Sequence, residues 1–144
     1  MEWFVKAFVK ASLAWLVLAV SMGVAMAVRP QWLIYRPAHL HMALLGFVAM
    51  MIFGVAYHVI PRFTGNPLHS RKLAGVHWWL ANLGLTGLVG GFVMRVHSGE
   101  NAIPVLAGGG VVASVGAYIF AYNLWRTLDA APRPALAGVR VSRA

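Results

Sequence analysis

This sequence predicts an all-α protein: a bundle of four transmembrane helices with both termini in the cytoplasm. Three observations lead there. Apolar residues fill 60% of the 144 positions and charged residues only 10%, against about 25% charged in ordinary globular domains, too few to cover a water-facing surface. Four apolar stretches each approach the roughly 20 helical residues that a hydrocarbon core requires. The basic residues gather at the ends of those stretches, and more of them at one side than the other.

The predicted spans cover about residues 4–28, 39–60, 73–96 and 103–128. Arg29-Pro30 ends the first, and Arg36-Pro37 precedes the second, where the fixed φ of proline suits a first helical turn. Pro61 and Gly65-Asn66-Pro67 close the second span. Ser98-Gly99-Glu100-Asn101 makes a tight turn between the third and fourth. Trp3, Trp32, Tyr35, Trp78, Trp79 and Trp125 fall near span ends, as interfacial aromatic residues do. Residues 1–129 are thus expected to form the membrane domain, and 130–144, rich in Ala, Pro and Arg, a flexible basic cytoplasmic tail.

Orientation follows from charge. Lys6, Lys10, Arg62, Arg71, Lys72, Arg126, Arg133, Arg140 and Arg143 lie on the side of the termini, and only Arg29, Arg36 and Arg95 on the other. The positive-inside bias puts the termini in the cytoplasm. The net charge of +9 sits at helix ends and makes no stripe, so it is read as membrane-surface charge with no nucleic-acid partner. With no cysteine there is no disulfide, thiolate metal site or covalently attached c-type haem. Met1-Glu2-Trp3 lacks the basic start of a signal peptide, so the first apolar run is expected to remain in the mature protein.

Small residues recur at helix-packing intervals: Ala19, Gly23 and Ala27; Gly87 and Gly91; Gly108, Gly109, Gly110 and Gly116. They serve close helix approach or leave room for a flat cofactor. The six histidines are functional suspects where they enter a span. His69, in the loop, reads as solvated. His39 and His41 stand about 200° apart on one helix. Below His39 come Ala43, Gly46, Met50 and Tyr57, a small, polarisable and aromatic face. Below His41 come Leu45, Val48, Ile52, Val55 and Val59, an aliphatic face suited to lipid. His39 therefore points inward, either as a haem ligand with space for a porphyrin beside it or as an interfacial group bonded to a carbonyl or water. His77 shares a face with Gly84, Leu88, Gly91 and Arg95, and His97 with Gly90, Thr86 and Trp79. Antiparallel spans bring His39, His41, Arg95 and His97 to the outer end and His58 and His77 to the inner one. Arg95 either pairs with haem propionates or anchors the helix at the headgroups. His58 and His77 form a second metal or quinone site or are ordinary interfacial residues. Asn82 is expected to bond a neighbouring helix.

The run Arg36-Pro37-Ala38-His39-Leu40-His41, continuing to Gly54-Val55-Ala56-Tyr57-His58-Val59-Ile60-Pro61-Arg62, resembles the second helix of haem–copper oxidase subunit I. The likeness is strongest to the C-type cytochrome oxidases and nitric oxide reductases. There a His-Thr-Asn opens the helix and a Tyr-Tyr followed by Pro or Arg closes it, and the His is an axial ligand of low-spin haem b on the periplasmic side. The resemblance implies that His39 takes the ligand position, His41 the Asn position and Tyr57-His58 the paired tyrosines. Beyond Trp78-Trp79 only topology is shared. Those oxidases have many more helices, which carry the second axial His, the active-site haem and its metal partner, so this chain alone is not expected to reduce oxygen or nitric oxide. For the sixth iron ligand His97 is the candidate on the correct side, with His41 weaker. The pseudo-threefold symmetry of subunit I, in units of four helices, also suggests a homotrimer.

The reading that results is a b-type cytochrome-like membrane protein of the bacterial inner membrane. It would bind haem b through His39 and serve electron transfer or gas sensing in a respiratory system, with quinol or cytochrome c as redox partner. Gly46, Met50, Tyr57, Arg95 and His97 complete the expected cofactor environment. One alternative is copper handling by His39, His41 and Met42, with Met22, Met26, Met50 and Met51 nearby as soft ligands. The other is a cofactor-free anchor or assembly subunit of a respiratory complex.

Overall fold

A computed structural model describes residues 1–130, and among them every regular element is helical. Nearly all of the expected tail, with Arg133, Arg140 and Arg143, lies outside the described residues. Helix α1 runs Trp3–Val28. A 3-10 segment, Pro30–Tyr35, then leads into α2 (Arg36–His41), with Pro37 in its first turn. A π-helical stretch, Met42–Ala49, continues without a break into α3 (Met50–Thr64). Helix α4 spans Arg71–Ser98, a 3-10 turn covers Gly99–Ala102, and α5 spans Ile103–Leu128.

The helix boundaries have local causes. The helix continues through Pro61, which has no N–H to give the Tyr57 carbonyl one turn back, and does not end there. Instead Gly65, at φ 68°, ends the helix in a left-handed conformation that needs no Cβ. The predicted stop at Ile60 was therefore one turn early. Ser70 caps α4 by accepting the Leu73 N–H at 3.2 Å, which starts that helix at Arg71. Gly99, at φ 56°, lets α4 turn directly into α5.

Three uninterrupted helical runs, Trp3–Val28, Pro30–Thr64 and Arg71–Leu128, are long and apolar enough to cross a membrane. The last is a hairpin of α4 on α5. Its two backbones touch: a Cβ on Gly84 would collide with the Ala113 backbone, and one on Gly91 would stand 2.8 Å from the Leu106 Cα. Only 17%, 22% and 11% of the most apolar windows of the three runs is buried. Their outer faces are hydrocarbon that lipid, and not water, must cover.

The core runs from the start of α1 along α3 and the first half of α4. Phe4, Phe8, Met50, Tyr57, His77 and Leu85 are almost wholly buried there, with Phe53 and Phe120 against them. Asn82, expected to bond a neighbouring helix, instead donates to the Trp78 carbonyl one turn back in its own helix at 2.8 Å.

Candidate functional site

The histidines fall into two groups at opposite ends of the bundle. At one end, α2 presents His39 to α1 and His41 to α4. His39 Nδ1 lies 3.0 Å from the Ala19 carbonyl oxygen. A helical carbonyl keeps a second lone pair after its intrahelical bond, and Gly23 lets the ring approach closely enough to use it. A Cβ there would sit 3.2 Å from His39 Cε1. Because a carbonyl only accepts, Nδ1 is the donor and the neutral ring keeps its lone pair on Nε2. This arrangement suits a metal-binding imidazole, whose other nitrogen is commonly held by a carbonyl.

His41 Nδ1 lies 2.8 Å from the Pro37 carbonyl, and its ring leans on Phe92 of α4 at 4.7 Å. It is half-buried, and Val48, Ile52 and Val55 below it are exposed. His97 is exposed, and its Nε2 is 3.0 Å from the Tyr35 hydroxyl. Arg95, on the same turn of α4, is exposed as well.

The π stretch alters the face below His39. The buried positions are Ala38, Met42, Gly46, Met50 and Gly54, each four residues from the last. In an α-helix four residues overshoot one turn by about 40°, so that stripe would wander off the core; the wider π turns hold it in line. Gly46 lies on this stripe, but the space beside it is filled: a Cβ would stand 2.7 Å from the Trp15 side chain and 3.1 Å from Leu85. Gly46 thus seats a helix contact, with no open slot beside it for a flat ring. Met50 and Tyr57 lie in the core below. Of the expected cofactor residues, only His39, Arg95 and His97 stand at this end, with His41 beside them. His39, His41 and Met42 diverge: one to α1, one to α4 and Met42 into the core. Among the described residues no group of three or more His, Cys, Asp or Glu is placed to hold a metal ion.

At the other end, His58 and His77 are not brought together. His77 is fully buried, with Nδ1 3.1 Å from the Tyr57 hydroxyl and Phe8, Phe53 and Phe120 around its ring at 4.7–5.4 Å. Its Nε2 is buried with no hydrogen-bond partner among the described residues, and the residue lines a cavity of about 60 Å³ with Leu45, Met50, Ala81 and Ala113. His58 lies outside this core and accepts from the Arg62 guanidinium at 2.8 Å.

Two features escaped the sequence reading. Tyr57 was traced to the His39 face, and its pairing with His77 was not foreseen; the signal was the shared inner-end position of both residues on antiparallel helices. A polar clasp between the 65–70 loop and α5 was also missed. Ser70 N–H donates to Asn123 Oδ1 and Ser70 O accepts from Asn123 Nδ2, both at 2.9 Å, while Thr127 accepts the His69 N–H at 3.0 Å. Asn123 and Thr127, one turn apart inside an apolar span, were the available hint.

No family model matches the chain. It is similar to the cbb3-type cytochrome c oxidase subunit CcoN1 of Stutzerimonas stutzeri, 33% identical over 118 residues, a match covering 65% of this chain and 25% of that protein. Cytochrome c oxidase subunit 1 of Rhodobacter capsulatus is 34% identical over 128 residues, covering 72% of this chain and 24% of the relative. The bacteroid cytochrome c oxidase subunit 1 homolog of Bradyrhizobium diazoefficiens is 29% identical over 115 residues. The chain spans about a quarter of the length of these curated relatives. With its apolar helical runs, the likeness makes it an integral protein of the bacterial inner membrane. Over about 65% of its length, this sequence is similar to one portion of a larger protein, cytochrome c oxidase subunit I.

Proposed function

We propose that the chain is a haem b-binding, electron-transferring part of a respiratory oxidase system, with His39 as an axial ligand. The observation that carries this reading is the Nδ1 contact of His39 with the Ala19 carbonyl. It fixes the ring and leaves Nε2 with its lone pair, as an iron ligand requires. Bound haem would supply a one-electron couple whose potential depends on its ligands and surroundings.

The chain's own residues have separate tasks in this reading. Ala19 orients the His39 ring, and Gly23 leaves room for it. Arg95 offers a cation to the carboxylates of the group at the headgroup level. His97 is the candidate sixth ligand within the chain and would exchange its Tyr35 contact for iron. Otherwise the sixth ligand comes from a second copy in a homotrimer, or from another subunit of a larger complex. Quinol or cytochrome c would be the redox partner.

The topology proposed with this function has four crossings: α1, the composite helix through α3, α4 and α5. Residues 1–129 make the membrane domain, with both termini cytoplasmic and His39 on the periplasmic side. The charge asymmetry supports that orientation.

A reduced-minus-oxidised spectrum of detergent-purified protein, beside a His39→Ala variant, tests the reading. A b-type signal present in the wild type and lost in the variant is expected. A wild type that stays colourless after haem is added would overturn it.

A further inference from the structure

Where α1 begins and α3 ends, a cleft of about 480 Å³ opens at the interfacial end of the bundle. Among its walls are Glu2, His58, Arg62, Asn66 and Arg71. Glu2 and Arg71 pair at 3.3 Å and cancel, so Arg62 is a side-chain cation of the cleft with no carboxylate beside it among the described residues. Its guanidinium also donates to the His58 carbonyl and to His58 Nδ1. His58 is therefore the neutral tautomer with its proton on Nε2, a second donor at the wall.

Asn66 supplies the opposite need. It is only 4% exposed, and its Nδ2 donates to the Ala130 carbonyl at 2.8 Å, which fixes Oδ1 as the acceptor. That oxygen is buried with no hydrogen-bond partner among the described residues, a costly state that a ligand donor would relieve.

A separate apolar groove of about 350 Å³ runs along the outside of α3, between Met51 and Ile60, and its last residues adjoin Pro61 and Arg62 of the cleft in sequence. Val55, Val59 and Arg62 follow one another at four and three residues, so they share a stripe of the helix. Arg62 is thus the charged residue that follows this apolar stripe towards the end of α3.

We infer that this cleft and groove together bind one glycerophospholipid: its phosphodiester on Arg62 and His58, a hydroxyl or ammonium headgroup donor on Asn66, and an acyl chain along Val55 and Val59. The Arg62 guanidinium offers a phosphodiester a charged donor. The unpartnered Asn66 oxygen selects headgroups that carry an O–H or N–H. Basic pockets at the membrane surface are suited to such recognition.

Native mass spectrometry of the full chain tests this, using phosphatidylglycerol, phosphatidylethanolamine and phosphatidylcholine with identical acyl chains. One molecule of either of the first two should be retained, and phosphatidylcholine, which has no donor, much less. Arg62→Gln should lower phosphatidylglycerol retention about tenfold, from the loss of a charged hydrogen bond. Val59→Trp, which fills the groove, should lower it too without touching the headgroup residues. Arg126→Gln, a charge at the same end but outside the cleft, should leave it unchanged. Equal retention of all three lipids, unchanged retention in Arg62→Gln, or displacement of the lipid by inorganic phosphate would overturn the assignment.

Discussion

The Nδ1 of His39 lies 3.0 Å from the carbonyl oxygen of Ala19, four residues before the glycine on which the imidazole rests. The His39 ring is thus held by α1 and not by its own helix, and its direction depends on a side chain that is absent.

Gly23→Val tests that dependence. The added Cβ would begin 3.2 Å from the ring, and its methyl groups would push the imidazole off the Ala19 carbonyl. A destabilisation of about 1–3 kcal/mol is expected from overpacking, together with loss of bound haem. Melting temperature and haem content per protein measure the two effects. Gly23→Ala, which requires a shift of only a few tenths of an ångström, should retain most of both.

The α4–α5 hairpin gives a sharper contrast between glycines. Gly84→Val places side-chain atoms on the Ala113 backbone, which cannot step aside, and should destabilise the fold by at least about 1–3 kcal/mol. Gly108→Ala meets nothing within 4 Å and should stabilise α5 by about 0.5–1 kcal/mol. Thermal unfolding in detergent, monitored by helical circular dichroism, compares the pair.

Tyr57 and His77 form a buried pair suited to a double-mutant cycle. Tyr57→Phe strands His77 Nδ1 without a partner and should cost about 1–3 kcal/mol. Adding His77→Phe removes both polar partners at once and should recover most of that loss. If the losses in the two single variants simply added, no interaction between the side chains would remain to explain.

Asn123→Leu removes both bonds to the Ser70 backbone; it leaves the Ser70 N–H unpaired and its carbonyl with only the Ala74 N–H at 3.3 Å. Amide hydrogen exchange over residues 66–73 should accelerate by about tenfold or more, as expected for a lost buried hydrogen bond. Thr127→Val should release the His69 N–H alone.

Much of this arrangement was readable from composition and spacing. The apolar runs, the proline and glycine punctuation and the divergence of His39 from His41 follow from rules that need no tertiary information. The face below His39 was traced on a constant helical angle, and the π stretch at Met42–Ala49 breaks that assumption with no residue to announce it. Gly46 illustrates the difficulty, since a small residue looks the same in sequence whether it admits a cofactor or another helix, and here Trp15 fills the space. Asn82 could satisfy its amide within its own turn, which polarity alone does not reveal. The role of Asn123 required knowing which loop lies across α5.

The π stretch also bears on how this helix tolerates changes in length. Losing one residue from an ordinary α-helix rotates everything beyond it by about 100°, which would swing Tyr57 out of the core or His39 away from α1. A segment already wound wider than α can lose a residue by tightening instead. Met42–Ala49 is therefore where a deletion would be absorbed with the least disturbance to either end, and the helix can be regarded as two separately anchored halves joined by an adjustable splice.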